Sequence, residues 1–562
     1  MRAFASVGVL LLSTFLAGSA SAQPAMAEPW VDPDPDGPPK RYELGEDFGV
    51  APMAEYRAQL TFVNPISLTT EDNRRYNVIE HRGRFGGEVD YRNIVKINLS
   101  MDLQDGTAWG DNGTFGELPS SDSGLNLTAR DPNVTRACIG FIGDDPLDAN
   151  SYGYTSCPGT YLKVRRLYGQ VNTPIGAIRV GRQAVGVGMS VQNAAGDGRR
   201  NRFGVAYEGD QVDRVLFATK PLEAFKPEAE RDTSENNGLI AAVMYDRLVS
   251  DSGAVFQDDV HQIATALRYL QPDFGIGENL EAQVFYAHRW NTLYQSTVNT
   301  VGGRLAARLG GFHIGTDMAA NIGSTREVAA SYSVITNDPI VDQKILQYGA
   351  RAVARYDWRP DGRVPELPPM LTGYFEFDYA SGDPDPQPRT PLTAFRWSED
   401  TNVGLLLFDH VMRFQTDRAA LAATEITRRL GATTFPSERV GTRGAFTNAM
   451  AIFPQVDFRP HDTVLFRTGV LVAWAPALVY DPVQSLQRRD GQSIEDDLVN
   501  FVGGKPGKFY GTELDARFQW RFVDHFALDL EGAVLFPGDA LQDINGQAVN
   551  SFLMQGRTTF FF

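Results

Sequence analysis

The chain has 562 residues, of which 43% are hydrophobic and 22% are charged, and its formal net charge is -17. This acidic excess disfavours nucleic acid as a partner. No segment beyond the N-terminal leader carries about 18 consecutive apolar residues, which excludes helical membrane proteins but not barrels, whose strands show only alternation. By length the chain is either several soluble domains or one large barrel.

The N-terminus has the pattern of a secretory signal. Arg2 supplies a positive charge, Val7 to Leu16 are mostly apolar, and Ala20-Ser21-Ala22 offers a small-x-small cleavage site. We therefore expect residues 1–22 to be removed by cleavage near Ala22 during export. No cysteine follows directly, which argues against a lipoprotein anchor.

Residues 23–53 are predicted to form a periplasmic linker, because Glu28 to Lys40 is dominated by Pro and Asp and cannot fold alone. Its aspartates offer weak calcium ligands, but a solvated spacer explains the composition better. Across residues 54–562 the pattern changes to alternating segments separated by turns. This stretch is predicted to be the folded body of the protein.

The only cysteines, Cys138 and Cys157, lie in a Gly/Asp/Pro-rich stretch after the export signal. In an oxidising periplasm we expect them to pair, closing a loop of roughly 20 residues with a stabilisation of about 3 kcal/mol. Two thiols alone make a poor metal site. No metal and no cofactor is therefore predicted.

The chain ends on a strand with one apolar and one polar face. Phe552, Met554, Phe560 and Phe562 alternate with Gln555, Arg557 and Thr559. This pattern is typical of a barrel with lipid outside and water inside, although an edge strand of a soluble sandwich also alternates. Comparable strands, several with aromatic ends, occur at Asn93 to Leu103, Leu346 to Trp358, Thr512 to Arg521 and Phe526 to Glu531.

Together these segments predict an all-β fold: a transmembrane, antiparallel, up-and-down barrel of about 18 strands. Between Asp251 and Val341 the alternation blurs, and 16 strands is the alternative. Such a barrel spans the outer membrane of a Gram-negative bacterium and contacts outer-membrane lipid.

The connections between the strands alternate between short and long. Short ones are predicted at Asn172-Thr173-Pro174, Gly209-Asp210, Arg459-Pro460-His461 and Val523-Asp524, and long ones near residues 105–161, 381–445, 475–508 and 537–550. Periplasmic turns are short and extracellular loops long in such barrels, so the long connections are predicted to face outside. In one of them, Val403 to Leu430 has the spacing of an amphipathic helix. It either packs as a cap on the barrel mouth or acts as a gate.

Several segments resemble the alginate-export type of outer-membrane porin. They are Arg166 to Val171 with Ile178 to Gln183, Phe203 to Tyr207 with Val212 to Ala218, Phe377 to Asp383, and Gly511 to Asp515 with Phe536-Pro537-Gly538. The resemblance extends over roughly residues 76–562. It implies an 18-stranded barrel that conducts an anionic polysaccharide outward, with periplasmic export components as partners if the cargo is a secreted polymer.

The candidate substrate path follows from strand phase, since alternate residues of each strand face the lumen. The predicted lumen residues are Lys96, Arg166, Arg182, Arg268, Arg351, Arg355, Glu376, Asp378, Arg467, Glu513, Asp515, Arg517 and Arg557. Polyuronate would favour a dense inward row of Arg and Lys, whereas this set is mixed. Either opposite charges pair across neighbouring strands, or the arginines form a ladder that binds a passing anion.

These residues are compatible with three functions. A passive channel for an anionic polysaccharide or oligosaccharide ranks first, with a diffusion porin for small anions as its alternative. An enzyme is not predicted, since no G-x-S-x-G or H-E-x-x-H motif occurs and no residue is assigned a catalytic role. Glu376 and Asp378 share a strand face in a way compatible with glycosidase chemistry, but such acids are commoner in a pore wall. An adhesin is the third possibility.

Overall fold

The computed structural model describes residues 41–69, 76–92, 94–108, 160–186, 188–196, 201–205, 209–227, 230–232, 237–250, 260–360, 368–385, 387, 389–429, 441–490, 494–523 and 525–561. The leader at 1–22, the linker up to residue 40, and both Cys138 and Cys157 lie outside these residues. The signal peptide and the disulfide therefore stay predictions.

The described residues form nineteen strands. In chain order they are β1 Tyr42–Leu44, β2 Phe48–Asn64, β3 Tyr76–Tyr91, β4 Val95–Ala108, β5 Thr160–Thr173, β6 Gly176–Val185, β7 Asp210–Thr219, β8 Gly238–Ser250, β9 His261–Asp273, β10 Glu278–Asn291, β11 Ser296–Leu309, β12 Phe312–Thr325, β13 Gln343–Trp358, β14 Leu371–Ala380, β15 Ala449–His461, β16 Val464–Val479, β17 Gly507–Val523, β18 Phe526–Pro537 and β19 Ser551–Phe561.

Four α-helices lie in the connections: α1 Pro221–Ala224, α2 Glu327–Thr336, α3 Arg413–Arg429 and α4 Pro482–Arg488. A π-helical turn, Leu407–Met412, leads directly into α3. Among the described helices, none is long and apolar enough to cross a membrane.

The sheet closes on itself. Each strand from β2 to β19 pairs antiparallel with its sequence neighbours, and β19 pairs with β2 through contacts that run from Phe552 opposite Asn64 to Phe561 opposite Glu55. The result is a closed 18-stranded barrel, with β1 added as a short hairpin partner of β2. The predicted fold class and the count of 18 strands, rather than 16, are confirmed.

Both chain ends of the barrel lie at the same rim, which fixes its orientation. At that rim most turns are short, for example between Leu309 and Phe312 and between His461 and Val464; the connections 220–237 and 359–370 are the longer exceptions. The opposite rim carries the long connections, including 381–448 and 480–506. Since outer-membrane barrels have short periplasmic turns and long extracellular loops, the rim with the chain ends is periplasmic.

Strand phase agrees with the sequence pattern. In β4, Val95, Ile97 and Leu103 are exposed on the outer surface while Lys96 and Asp102 are buried toward the lumen. The same division holds along β13, β17, β18 and β19. The apolar outer face can therefore meet lipid, and the polar side chains face inward.

The barrel begins earlier than predicted, which corrects the boundary between linker and barrel at residue 54. Strand β2 starts at Phe48, and β1 pairs with its first residues. The guanidinium of Arg41 donates to both carboxylate oxygens of Asp90 on β3, at 2.9 Å each. This contact anchors the chain just after the Pro/Asp-rich tract ends at Lys40.

For the described residues, the strand that the resemblance implies at Phe203 to Tyr207 and the inner turn predicted at Gly209-Asp210 are both wrong; Ala206 and Tyr207 lie outside those residues. Residues 201–205 lie inside the lumen, and residue 209 ends the extracellular connection between β6 and β7. Phe203 is buried against the ring of Phe453 on β15, with centroids 5.6 Å apart. Interior packing, rather than sheet pairing, explains the apolar residue of this segment.

A charge placed on the outer face should cost stability according to its depth. Val301 is 51% exposed near the middle of β11, and Leu309 is 40% exposed at its periplasmic end. We expect Val301→Arg to lower the free energy of unfolding by about 2–4 kcal/mol and Leu309→Arg by about 0–1 kcal/mol. Denaturant titration of the barrel in phospholipid vesicles measures both values, and equal losses would contradict the membrane placement of β11.

Candidate channel site

Opposite charges on the lumen wall pair across neighbouring strands. Several pairs are direct register partners: Arg84 with Asp102, Arg214 with Asp246, Arg304 with Asp317, Arg351 with Asp378, Asp457 with Arg467, Arg517 with Glu531, and Asp529 with Arg557. The closest contacts are Arg84 Nε to Asp102 Oδ1, Arg214 Nε to Asp246 Oδ1 and Arg467 Nε to Asp457 Oδ1, each at 2.6 Å. Cross-strand pairing thus accounts for much of the mixed charge predicted for the lumen.

Twelve of the predicted lumen residues have the inward phase of their strands: Lys96, Arg166, Arg268, Arg351, Arg355, Glu376, Asp378, Arg467, Glu513, Asp515, Arg517 and Arg557. Most contact an opposite charge. Lys96 lies 3.2 Å from Glu88, Arg268 lies 2.7 Å from Glu281, and Arg355 lies 2.7 Å from Asp357. Their role as a substrate path stays a prediction.

Arg182 does not face the lumen, which corrects its prediction. It has the phase of Val180, an exposed residue of the outer surface, and it is the register partner of Leu167 and Asp213. Its guanidinium contacts Asp213 at 2.9 Å, and both side chains are substantially exposed. The ion pair lies near the extracellular end of β6, where a charge on the outer face is tolerated.

The two carboxylates considered for glycosidase chemistry contact one arginine of the wall and one of the connection between β6 and β7. Glu376 contacts Arg351 and Arg202 and accepts from Gln455 Nε2 at 3.0 Å. Asp378 lies 3.4 Å from Arg351 Nε. Both carboxylates are fully buried in the wall. Among the described residues, no group of three or more His, Cys, Asp or Glu is arranged to hold a metal ion.

A loop crosses the lumen between β6 and β7, and we name residues 186–209 the crossing loop. Five wall arginines donate to its backbone carbonyls: Arg84 to Gly196 at 3.0 Å, Arg165 to Ala195 at 2.8 Å, Arg351 to Met189 at 3.3 Å, and Arg467 and Arg517 to Arg202 at 2.7 and 2.9 Å. These donors come from well-separated strands. The crossing loop is therefore fixed from several directions across the lumen.

A second loop, the helix-bearing loop at residues 381–448, packs into the extracellular half of the lumen. Phe395, Trp397, Leu405, Leu406 and Phe446 are fully buried within it. They join inward apolar residues of the wall in one core, among them Phe453, Leu471, Leu535 and Leu553. The predicted helix at 403–430 corresponds to the π-helical turn and α3, and it packs inside the barrel mouth.

One wall carboxylate holds the start of this helix. Glu513 accepts from the backbone N–H groups of Leu405, Leu406 and Leu407 at 2.7, 2.8 and 2.6 Å. Its side chain is fully buried, and the helix N-terminus favours an anion there. Gly404 has φ +76°, and a Cβ at that position would lie 2.8 Å from Glu513 Oε1. A glycine is needed for this close approach.

Buried positive charges predominate in one part of the lumen wall and buried negative charges in another. Among the described residues, the buried charges of β2 to β5 are Arg57, Arg82, Arg84, Lys96, Arg165 and Arg166 against Asp90 and Asp102. Those of β14 to β18 are Glu376, Asp378, Asp457, Glu513, Asp515, Asp529 and Glu531 against Arg467 and Arg517. We name the first group the basic sector and the second the acidic sector. A field between two such sectors acts on any charged solute in the lumen.

The basic sector contains like charges in direct opposition. Arg57 on β2 is the register partner of Arg82 on β3. Arg82, Arg84 and Arg165 all lie within 4.0 Å of the carboxylate of Asp102, and Arg82 also contacts Glu55 at 2.8 Å. Like charges placed directly opposite destabilise a sheet, and here the carboxylates of Asp102 and Glu55 and the carbonyls of the crossing loop offset part of that repulsion.

Part of the basic sector was missed from the sequence, because a β-bulge hides it. The register shifts between Ser100 and Met101, so that Ser100 pairs with Arg166 and Met101 with Val164. Arg165 is the extra residue, and both Arg165 and Arg166 are buried on the lumen side. Strict alternation would place one of the two in lipid. Two consecutive arginines in an otherwise alternating strand are the signal that indicates such a bulge.

Part of the chain matches a known protein family. The family model described as "Alginate export" matches residues 433–555, which include β15 to β18 and the first part of β19. This match confirms the predicted resemblance to alginate-export porins. The barrel is an outer-membrane channel of a Gram-negative bacterium. No curated protein is significantly similar in sequence.

Several solved structures align with most of this chain at low sequence identity. OccK5 (OpdH) of Pseudomonas aeruginosa is 11% identical, with 91% of this chain and 98% of that chain covered and a TM-score of 0.41. OccAB1 of Acinetobacter baumannii is 8% identical, with coverages of 91% and 96% and a TM-score of 0.46. OpdK of Pseudomonas aeruginosa, solved with vanillate, is 8% identical, with coverages of 91% and 98% and a TM-score of 0.43.

The contact between Glu513 and the helix start makes a direct prediction. Glu513→Gln replaces one of the two acceptor oxygens with a donor, so at least one buried N–H among Leu405 to Leu407 loses its partner. We expect these amides to exchange hydrogen about tenfold faster or more, as the loss of a charged acceptor implies. Glu88→Gln, which removes a carboxylate near Lys96 in the periplasmic half, is the control. Unchanged exchange in Glu513→Gln would contradict the contact.

The helix-bearing loop should also respond to pH through Asp417 on α3. Burial raises the pKa of this carboxyl, and Arg413, Arg443 and Arg396 oppose the shift. Because the pKa of Asp417 is higher in the folded loop than in the unfolded chain, this carboxyl contributes its full stabilisation in acid. The stabilisation is lost as the pH rises through the raised pKa. Burial lowers the pKa of His410, whose contribution is instead lost as the pH falls.

Asp417→Asn removes the pH dependence that comes from Asp417, since the amide is uncharged at every pH. We expect the variant to keep its α3 protection factors as the pH rises from acid to neutral, whereas those of the unmodified protein decline. Hydrogen exchange corrected for intrinsic rates measures both profiles. Parallel profiles in the two proteins would show that Asp417 does not control the loop.

Proposed function

We propose that this barrel is a selective channel for small acidic solutes, short acidic saccharides included. The observation that carries the proposal is the basic sector, where Arg57 and Arg82 oppose each other and three guanidinium groups converge on Asp102. Confined positive charge in a water-filled path lowers the energy of a passing anion, because screening there is weak. Passage is passive and follows the gradient.

The two inward loops support a small solute rather than a long polymer. The crossing loop is bound to the wall by five arginines, and the helix-bearing loop has a continuous apolar core with β15 to β19. A polymer chain would have to displace these packed segments along its whole passage. A single small solute needs only the gaps between them and the wall.

Export of an anionic polysaccharide is the second candidate. It is favoured by the match of residues 433–555 to the alginate-export family. In that case the helix-bearing loop would have to leave the barrel mouth during transport, and periplasmic export components would deliver the polymer.

Ion selectivity tests the role of the basic sector. We expect the double variant Arg57→Gln/Arg166→Gln to shift the reversal potential, measured across a tenfold KCl gradient in a planar bilayer, toward cation preference. Arg182→Gln is the control, since it removes one positive charge from the outer surface, whereas the double variant removes two from the lumen wall. Identical shifts of the reversal potential in the two variants would show that the basic sector is not the source of the ion selectivity.

Block of the single-channel current separates the two candidates. Uronate monomers and dimers should reduce the current in a concentration-dependent way, while long polyuronate should block poorly from either side. Block by polyuronate at lower concentration than by the monomer would favour polymer export instead.

A further inference from the structure

The extracellular half of the barrel contains a cavity of about 460 Å³ between the wall and the two loops. Its wall side is made by inward residues of β11 to β13, among them Thr300, Asn321 and Gln347. The crossing loop contributes Gln192, and aromatic side chains, among them Tyr332 and Tyr480, close other sides. This volume lies in the range of small-molecule binding sites.

The charges that line the cavity nearly cancel. They are Arg289 and Arg396 against Glu327, Asp383 and Asp385. Asp383 is also engaged by backbone N–H groups of Asp385 and Thr393, at 3.1 and 3.3 Å. A site for an anion would need an excess of positive charge, as the basic sector has. The lining therefore favours an uncharged ligand.

Two glutamines in this lining have hydrogen-bonding groups without a partner among the described residues. The Oε1 atom of Gln192 is buried and accepts no hydrogen bond from any described residue. The Gln347 side chain accepts from Asn321 Nδ2 at 3.2 Å, and no contact of its own amide N–H groups is found in the described part of the chain. A buried acceptor without a donor is costly. A ligand that both donates and accepts would satisfy the two side chains together.

The hydrogen-bonding groups of Gln192 and Gln347 restrict the chemical class of the ligand. A hydroxyl group is both a donor and an acceptor, so it can donate to Gln192 and accept from Gln347, which neither a simple carboxylate nor an ammonium group can do. Flat aromatic faces such as those of Tyr332 and Tyr480 suit the apolar face of a ring. Burial raises the pKa of both tyrosine hydroxyls, which therefore stay protonated.

We propose that this cavity is a binding site for an uncharged, hydroxyl-rich ligand, a neutral saccharide of one to three rings. Gln192 and Gln347 bind its hydroxyl groups, and Tyr332 and Tyr480 pack against its rings. The site is separate from the basic sector, and it does not depend on whether the channel prefers anions.

Calorimetric titration of the refolded full-length protein in detergent with maltotriose tests the proposal. We expect saturable binding that is weakened about tenfold or more by Gln192→Leu and by Gln347→Leu, since each removes a hydrogen bond to the ligand. Gln283→Leu is the matched control, because Gln283 faces the lumen from β10 outside the cavity lining. It should bind maltotriose as the unmodified protein does.

Heat-modifiable mobility on gels checks that each variant is folded, and the reversal potential should stay unchanged in Gln192→Leu. Absence of saturable maltotriose binding would overturn the proposal. So would equal loss of affinity in all three variants, or tighter binding of trigalacturonate than of maltotriose.

Discussion

The structure depends on one constraint: a backbone in lipid must find all its hydrogen-bond partners within the protein. Pairing of β19 with β2 meets this constraint, because it leaves no strand edge open to hydrocarbon. Closure of 18 strands then encloses a wide space. A lumen of this size must be filled with water, with protein, or with both.

This barrel fills much of its lumen with loops, and arginine makes that possible. A guanidinium group has several donors in a fixed plane, so one side chain can bind a carboxylate of the next strand and still donate to a loop carbonyl. Arg467 does both, contacting Asp457 and the carbonyl of Arg202. Arg84 does the same with Asp102 and Gly196. The mixed charge of the wall thus stabilises the barrel and fixes the crossing loop at the same time.

Much of the fold could be predicted from the sequence. Successive side chains of a barrel strand face lipid and the lumen in turn, so each strand shows alternating apolar and polar residues. The outer faces of β4, β13, β17, β18 and β19 were assigned residue by residue on that basis. The prediction that Arg182 faces the lumen was wrong, because its strand is short and has glycine and alanine on both faces. The sequence therefore does not show which residues of that strand face inward. Arg165 was missed as a lumen residue because a β-bulge interrupts the alternation of its strand.

The interior was harder to predict. Leu471, Leu535 and Leu553 have the inward phase of their strands, yet only the folded helix-bearing loop explains why a polar lumen should contain them. Gln192 and Phe203 lie in a connection whose path across the lumen is set by tertiary contacts. No local periodicity records such a path, so the cavity and the crossing loop could not be derived from sequence.

The direct opposition of charges on neighbouring strands has a consequence for assembly. Alternation alone penalises a slip of one residue, which would turn every side chain to the wrong solvent. A slip of two residues keeps each face correct and escapes that penalty. It would, however, place Arg467 opposite Gln455 or Arg459 instead of Asp457, and Arg214 opposite Met244 or Leu248 instead of Asp246. The ion pairs thus carry positional information that the hydrophobic pattern lacks, and they select one alignment among those that lipid would accept equally.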